Sequence, residues 1–572
     1  MNTTLHWWQT AVFYQIYPRS FADGNGDGIG DFKGITAKLD YLRDLGVDGL
    51  WLSPHFPSPQ ADCGYDVADY VNVEPEYGTL EDFKVFLDEA HKRDIRVILD
   101  MVFNHTSDRH AWFVESQSSR DNPKHDWYVW HDGRPGPDGE RLPPNNWESA
   151  FTGSAWEYVE ARDQYYYHYF LKEQPDLNWR NPQVRAAMWD AVRFWLDMGV
   201  DGFRLDAIGT IFEHPDMPDH KAEMTLVQLF DAWETATTPE EHEVLREQWK
   251  LLFENQVEQP GMHDLMQELR TVVNAYPDAV LVGETDDVAY YGDGQNELHL
   301  VFNFPLMNTE HLTPEHVRDN QQERQEMSPA GAWPCNTLGN HDNSRVWSRY
   351  ADGEHDRELA QVSLALLLTL RGTPFLYNGE EIGMTDLILD DLDQIRDVVA
   401  LRQYALAVAH GMPPEKASEM VRRSTRDRCR TPMQWANAPH GGFCPATVSP
   451  WLPVNPNYAQ GVNAAEQMAD PGSLWHFYKR LLALRRQTPA LVAGEYAPLL
   501  ADHEDCLCFL RTLPAPEQTC LVVLNFSDQA QTLAFDDLPS ARRLLFSSAD
   551  RAQPVDLSAL TVAPYEIYIA EL

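Results

Sequence analysis

The sequence predicts an α/β protein built on a (β/α)8 TIM barrel, with a loop-rich domain inserted after the third strand and a C-terminal antiparallel β domain. Three observations carry that expectation. Short runs rich in branched and aromatic residues alternate with longer amphipathic stretches, which is the pattern of repeated strand-then-helix units. Eight such strand runs occur, at residues 12–16, 48–52, 96–103, 201–206, around Leu281, 299–304, 336–339 and 374–378. At 572 residues the chain is too long for one ordinary domain and long enough to bury a large core.

Two stretches break the alternation. Residues 127–169 are dense in Trp, Tyr, Pro and Gly without helical periodicity, and mark an inserted domain spanning 105–176. A second interruption follows the eighth strand, from about residue 385 to 470, before LWHFYKRLLALRRQTPAL (474–491) resumes as an amphipathic helix. Beyond Gly494 short alternating runs such as CLVVLNFS (520–527) predict a β-sandwich over 494–572. The barrel then takes 1–104 and 177–493. The acidic run DLILDDLDQIRD (386–397) reads as a solvated helix face.

Composition excludes several classes of function. Hydrophobic residues at 43% and aromatics at 11% exclude a disordered chain, and no apolar run reaches the roughly 18–20 residues a bilayer requires. Lys and Arg number 45 against 88 Asp and Glu, and the resulting charge of −43 repels nucleic acid and anionic membranes. A neutral or cationic substrate is favoured. The seven cysteines are odd in number, scattered and without a CxxC pair, so reduced thiols are expected. The amino-terminal stretch has no basic segment followed by an apolar one, which predicts a cytoplasmic protein. Oligomeric state is not legible.

Three acidic residues fall where a barrel enzyme places its chemistry, at the carboxyl ends of strands: Asp206 in GFRLDA, Glu284 in LVGE and Asp342 after LGNH. Two carboxyl groups about 5–5.5 Å apart suit a retaining glycosidase, one attacking the anomeric carbon while the other protonates the leaving oxygen. Arg204 lies two residues before Asp206, on the same face of the strand, and is expected to hold it as carboxylate. Glu284 would need to arrive protonated, which a nearby carboxylate and a dry pocket promote. Separately, Asp23, Asn25, Asp27 and Asp31 in DGNGDGIGD, with the carbonyl of Ile29, give the oxygen donors and tight turns of a calcium loop. Its twelfth position is Gly34 instead of Glu, so it is not an EF-hand.

DMVFNH (100–105), GFRLDA (202–207), Glu284 in VGET and GNHDNSR (339–345) resemble, in order, the four short regions of the α-amylase family of glycoside hydrolases. QPDLNW (174–179), YNGEEIGM (377–384) and RCRTPMQW (428–435) are similar to its oligo-1,6-glucosidase and α-glucosidase branch. The resemblance implies Asp206 as nucleophile, Glu284 as general acid/base and Asp342 as stabiliser of the transition state. It implies that His105 and His341 bond sugar hydroxyls, and that Tyr65 and Asp66 of GYDVADY hold the terminal glucose, with Arg430 pairing Asp66 to close the pocket. It also implies that the calcium loop is structural.

A closed pocket implies exo action on short oligosaccharides. Transglucosylation or sucrose or trehalose isomerisation would use the same glucosyl-enzyme, but the arginine-rich loop of the sucrose isomerases is not matched by SRYADGEHDREL (348–359). A non-enzymatic barrel relative would lack the carboxylates that are present here. Ala207 stands where α-1,6-preferring members usually have Val, so α-1,4 bonds of the maltose type are expected. Residues 209–264 depart from shorter relatives on the aglycone side. Trp112, Phe151, Trp156 and Phe170 are candidates for sugar-stacking platforms or for plain packing.

Overall fold

The computed structural model describes residues 5–572; residues 1–4, part of the amino-terminal stretch read for a signal, lie outside the described residues. Eight parallel strands form one sheet: β1 (Phe13–Ile16), β2 (Gly49–Leu52), β3 (Arg96–Val102), β4 (Gly202–Asp206), β5 (Val280–Gly283), β6 (Leu300–Val301), β7 (Cys335–Thr337) and β8 (Thr373–Tyr377). Strands β1 to β6 pair in chain order, β8 pairs with both β1 and β7, and a parallel bridge between Phe302 and Cys335 closes the seam between β6 and β7. The predicted barrel is therefore present.

Both faces of each strand are covered, so the strands read as nearly continuous apolar runs; in β3 only Arg96 is exposed. Alternation decides what each side chain meets. Phe13, Trp51, Ile98, Val280, Val282, Phe302 and Phe375 fill the barrel interior as one cluster, with Phe13 and Phe375 stacked 4.5 Å apart. Two residues further along the same strands the inward positions become polar, with Gln15 on β1, Asp100 on β3 and Arg204 then Asp206 on β4. The parallel register pairs Asp100 with Arg204 and Val102 with Asp206. The apolar plug thus supports a layer of charge at the carboxyl end.

Helices between the strands have local causes. The helix Pro182–Met198 starts with the Asn181 side chain accepting from Gln183 N and with Pro at its first turn, and it ends at Gly199 with φ 105°. The helix Leu80–His91 is opened by a reciprocal Thr79 and Asp82 capping box.

The inserted domain leaves the barrel after β3 and carries a small antiparallel sheet of Trp130–His131, Gln164–Tyr167 and Trp156–Val159. Its own core contains Trp147, Trp156 and Tyr167. QPDLNW brings the chain back. Leu177 N donates to Asn104 O at 2.9 Å, Asn104 Nδ2 to Asp176 at 2.9 Å and Trp179 Nε1 to Phe103 O at 2.7 Å, so departing and returning strands are zipped together.

The interruption after β8 contains a helix pair, Val398–Ala409 and Pro414–Ser424. The acidic run before it is not a solvated helix face. It is mostly irregular, and two of its carboxylates hold the structure: Asp386 accepts from Ser344 Oγ and Arg345 N, and buried Asp397 binds Arg426. Local charge suggested solvent, but buried partners distant in sequence claimed those residues.

In the C-terminal domain five antiparallel strands run in the order Glu495–Leu499, Cys506–Pro514, Glu517–Asn525, Ile567–Glu571, Arg543–Ser547. One face, with Leu507, Phe509, Val522, Leu524 and Ile569, joins the barrel core. The other, with Cys506, Cys508, Leu521 and Val523, packs against Leu533, Leu560 and Val562 of a two-stranded sheet. Cys506 and Cys508 are packing residues, as their neighbours are apolar.

Gly202 at the start of β4 has φ 149°, and a Cβ there would lie 2.1 Å from the Val280 carbonyl oxygen. Gly202→Ala should therefore push β4 from β5 and cost about 2–4 kcal/mol. Thermal unfolding followed by circular dichroism should show a lowered midpoint, and an unchanged midpoint would contradict this close approach.

Candidate active site

The carboxyl end of the barrel gathers its acids around one guanidinium. Arg204, with a side chain only 1% exposed, contacts Asp100 Oδ1 at 2.7 Å, Asp206 Oδ1 at 2.6 Å and Glu284 Oε1 at 2.6 Å. The backbone fixes Glu284 further, because Glu284 N donates to Leu205 O and its Oε2 accepts from Ala207 N at 2.8 Å. Trp51 Nε1 and Tyr65 OH donate to Asp100 Oδ2 at 3.1 and 3.2 Å.

One positive charge facing three carboxylates does not keep all of them ionised cheaply. Burial lifts the Asp206 carboxyl well above the usual carboxylate range against the pull of Arg204, and Glu284 and Asp100 push it further up. Burial likewise pushes Asp100 up to about 6, opposed by Arg204. The expected pairing of Arg204 with Asp206 is present, and the same guanidinium is shared with Asp100 and Glu284.

Asp342 has the opposite environment. Burial would raise its carboxyl, yet His341, Arg430 and Arg426 hold it well below the usual range. His341 itself is pushed down to about 3 by burial, so above that pH it is neutral and the two arginines carry the effect. Arg430 Nη2 donates to Asp342 Oδ1 and its Nε to His341 O, while Arg426 Nη1 stands 3.6 Å from Asp342 Oδ1.

The blind end of the cavity differs from the expected one. Asp66 is fully buried and accepts hydrogen bonds from Ala61 N, Asp62 N and Ser58 Oγ, so it shapes its own loop. Its carboxyl is pushed up to about 6 by burial, and Arg430 bonds His341 and Asp342 instead of Asp66. Asp62 and Arg426 take those places: Arg426 Nη2 binds Asp62 Oδ1 at 2.9 Å and is anchored behind by Asp397 Oδ1 at 2.8 Å. Gln174 of QPDLNW links this end to His105, donating to Asp62 Oδ2 at 3.2 Å and lying 2.9 Å from His105 Nε2. Nδ1 of His105 donates to Asn104 Oδ1, and burial lowers its pKa to about 4, so the ring is neutral and binds as a dipole.

A cavity of about 210 Å³ is lined by Asp62, Tyr65, His105, Phe151, Phe170, Asp206, Ala207, Glu284, Asp342 and Arg426. Of the residues expected to touch substrate, Tyr65, His105 and Ala207 line it with the three carboxylates. Arg204, His341 and Arg430 lie buried behind the wall and position the groups in front of them. His341 Nε2, for example, is 2.6 Å from Tyr65 OH and 3.2 Å from Asp342 Oδ2, and its ring stacks on Tyr65. Phe151 and Phe170 form the rim with centroids 5.3 Å apart. Trp112 and Trp156 are packing residues, against Trp127 and within the inserted domain's core. Cys429 is fully buried against His341 O, and burial pushes its thiol up to about 12, which makes it inert.

Sequence reasoning missed Asp62, Asp100, Gln174, Arg426 and Asp397. Asp62 and Arg426 are each four residues from the positions chosen, and only the path of each loop decides which residue faces the cavity.

The proposed calcium ligands stand elsewhere, in the loop before the helix Phe32–Ala37. Asp23 accepts from Gly26 N and Gly28 N, Asp27 from Ile29 N and Asn25 Nδ2, Asn25 Oδ1 from Asp27 N, and Asp31 from Gly24 N, Asn25 N and Gly34 N. Among the described residues no three Asp, Glu, His or Cys side chains converge in metal-binding geometry. The donors are nevertheless all oxygens, and a carboxylate oxygen that accepts one N–H keeps a second lone pair, so the set fits a hard cation.

A barrel with paired carboxylates at its carboxyl end and a pocket sized for one sugar defines a glycoside hydrolase. Residues 15–494 match the α-amylase catalytic domain, and residues 496–569 match the maltogenic amylase C-terminal domain. The chain belongs to the α-amylase family. It is 39% identical over 587 residues to an oligo-1,6-glucosidase of Parageobacillus thermoglucosidasius, covering 99% of both chains. It is 41% identical over 544 residues to a probable α-glucosidase of Rhizobium meliloti (strain 1021), covering 94% of this chain and 92% of that one. Among solved structures it resembles the trehalulose synthase MutB of Pseudomonas mesoacidophila MX-45, with a TM-score of 0.87, 36% identity and both chains fully covered.

The corrected blind end gives a direct comparison. Loss of a hydrogen bond to a charged group costs about 1.5–3 kcal/mol, so Asp62→Asn should raise KM for maltose or isomaltose by about tenfold or more. Asp66→Asn should appear instead as a lowered unfolding midpoint. A larger KM change in the Asp66 variant would reverse the assignment.

Proposed function

We propose that the protein is an exo-acting, retaining α-glucosidase that removes terminal glucose from the non-reducing end of short α-linked oligosaccharides. The observation that carries this reading is one buried guanidinium bridging two carboxyls beside a blind end closed by Asp62 and Arg426. Glucose seated against that end presents its anomeric carbon to Asp206, which attacks while Glu284 gives its proton to the departing oxygen. Asp342, kept ionised by two arginines, faces the developing positive charge.

The shared guanidinium also accounts for the second half of the reaction. Once Asp206 is esterified its negative charge is gone, and Arg204 has only Glu284 and Asp100 to serve. Glu284, having given up its proton to the leaving group, takes one from the incoming water. Water attacks the same carbon from the face the leaving group vacated, releasing α-glucose. The same intermediate would transfer glucose to a sugar hydroxyl, and the likeness to a trehalulose synthase supports weighing transfer beside hydrolysis.

Ala207 has φ 40°, in the left-handed region that β-branched residues avoid, and it presents a single methyl to the cavity. That space supports α-1,4 bonds, and the relatives named oligo-1,6-glucosidase support α-1,6 bonds within the range. All seven cysteines are free and buried, which supports a reducing, cytoplasmic setting. Among the described residues no helix is long and apolar enough to cross a membrane.

Asp206→Asn should abolish turnover while leaving the fold intact. A carboxyl whose pKa rises on folding adds stability below its unfolded value near about 4 and loses it as pH rises. At neutral pH the amide should therefore raise the unfolding midpoint. In the wild type, protonated Asp206 cannot attack, so the acid limb of kcat/KM should have its midpoint above about 4. Proton NMR of the first product from maltose should show α-glucose; β-glucose would refute the retaining mechanism.

The loop with Asp23, Asn25, Asp27, Ile29 and Asp31 would hold a structural Ca²⁺, which would supply positive charge where burial and Asp23 raise the Asp31 carboxyl. Chelation should lower the unfolding midpoint, and added Ca²⁺ should restore it. An unchanged midpoint together with no bound metal by elemental analysis would remove the site.

A further inference from the structure

Residues 209–264, which the chemistry does not use, fold into a helical hairpin of Leu226–Thr235 and Pro239–Phe253. Its apolar seam buries Leu226, Leu229, Leu245, Leu252 and Phe253. Three aromatics are left outside that seam: Phe230, Trp233 and Trp249 are 37%, 44% and 41% exposed. Phe230 and Trp249 are edge to face with centroids 5.5 Å apart. Aromatic surface held open on a rigid hairpin costs solubility and calls for a partner.

The surroundings indicate which partner. A groove runs between the hairpin and the helix pair that follows β8, with Phe230 and Trp233 on one wall and Leu406, Met412 and Met420 on the other. Polar side chains of Asp231, Gln403 and Ser424 share this groove. Along the chain the groove and the catalytic cavity are adjacent at two places. Thr152 in the groove follows Phe151 on the cavity rim, and Ser424 lies two residues before Arg426 in the cavity wall. A chain extending out of the cavity past Phe151 would come next to Thr152 in this groove. Flat apolar faces flanked by hydroxyl, amide and carboxylate groups suit a pyranose ring, which has apolar faces and a hydroxyl edge. An anionic ligand is disfavoured by a chain of charge −43.

We propose that this groove is an outer subsite for the distal sugar residues of an oligosaccharide whose non-reducing end occupies the catalytic cavity, with Trp233 and Phe230 as its stacking platforms. The proposal rests on the α-glucosidase reading and extends it. The groove binds the reducing-end portion of longer substrates, and longer acceptors during transfer, so chain-length preference resides in the hairpin and not in the catalytic residues.

The test compares Trp233→Ala and Phe230→Ala with wild type on maltose and maltohexaose. The ratio of kcat/KM for maltohexaose to that for maltose should fall about five- to tenfold. Binding of maltohexaose to Asp206→Asn enzyme, measured by calorimetry, should weaken to the same extent when Trp233→Ala is added, and this arm needs no turnover. An unchanged ratio with unchanged binding overturns the proposal, as does an equal loss on both sugars. A change in solution mass in the variants with the ratio intact would overturn it too, marking the groove as a contact between copies. If wild type cleaves neither these sugars nor isomaltose the α-glucosidase reading fails, while the calorimetric arm still decides the subsite.

Discussion

The arrangement depends on Arg204. A guanidinium at the end of β4, almost without exposure, faces Asp100, Asp206 and Glu284, and every other feature of the cavity supports or exploits that imbalance. Three acids against one base in a desolvated place leave Asp100 and Asp206 with raised pKa values, an expensive arrangement for stability. The barrel makes it possible: strand register sets Asp100 beside Arg204, and the apolar plug beneath excludes water from below. Asp342, bonded by Arg430 and close to Arg426, remains a carboxylate, so neighbouring acids reach different states through surroundings and not through chemical type.

The remaining parts of the site come from excursions of the chain. The inserted domain supplies Phe151 and Phe170, the loop after β2 supplies Asp62 and Tyr65, and the segment after β8 supplies Arg426. Gln174 touches Asp62 and His105, and Arg402 reaches Glu173 at 3.0 Å, so the excursions are fastened to one another as well as to the barrel. A blind pocket is the product of that fastening. It also explains why QPDLNW belongs to the active site although it contributes no reacting group.

Much of this was legible in the sequence. Barrel strands announce themselves because both faces are buried, and Asp206, Glu284 and Asp342 stand out because strand ends have fixed positions in the fold. Loop residues have no such frame. The motif singles out Asp66 and Arg430 but does not encode direction, and the turn at 61–66 points Asp66 inward to its own backbone and Asp62 to the cavity. The acidic run at 386–397 misled for a related reason: its local charge suggested solvent, but Asp397 is buried by an arginine some 30 positions on. Electrostatic sharing was the hardest to foresee, since the pairing of Arg204 with Asp206 follows from alternation, but the added load of Asp100 and Glu284 requires three strands at once.

The account stands or falls on Asp206 carrying the glucosyl group. Trapping with a fluorinated α-glucosyl substrate that forms the ester quickly and hydrolyses it slowly, followed by peptide mass spectrometry, tests this directly. The expected result is a single fluoroglucosyl adduct on the peptide containing Asp206, absent from Asp206→Asn enzyme. An adduct on Glu284 or Asp342, or inactivation without any adduct, would contradict the mechanism.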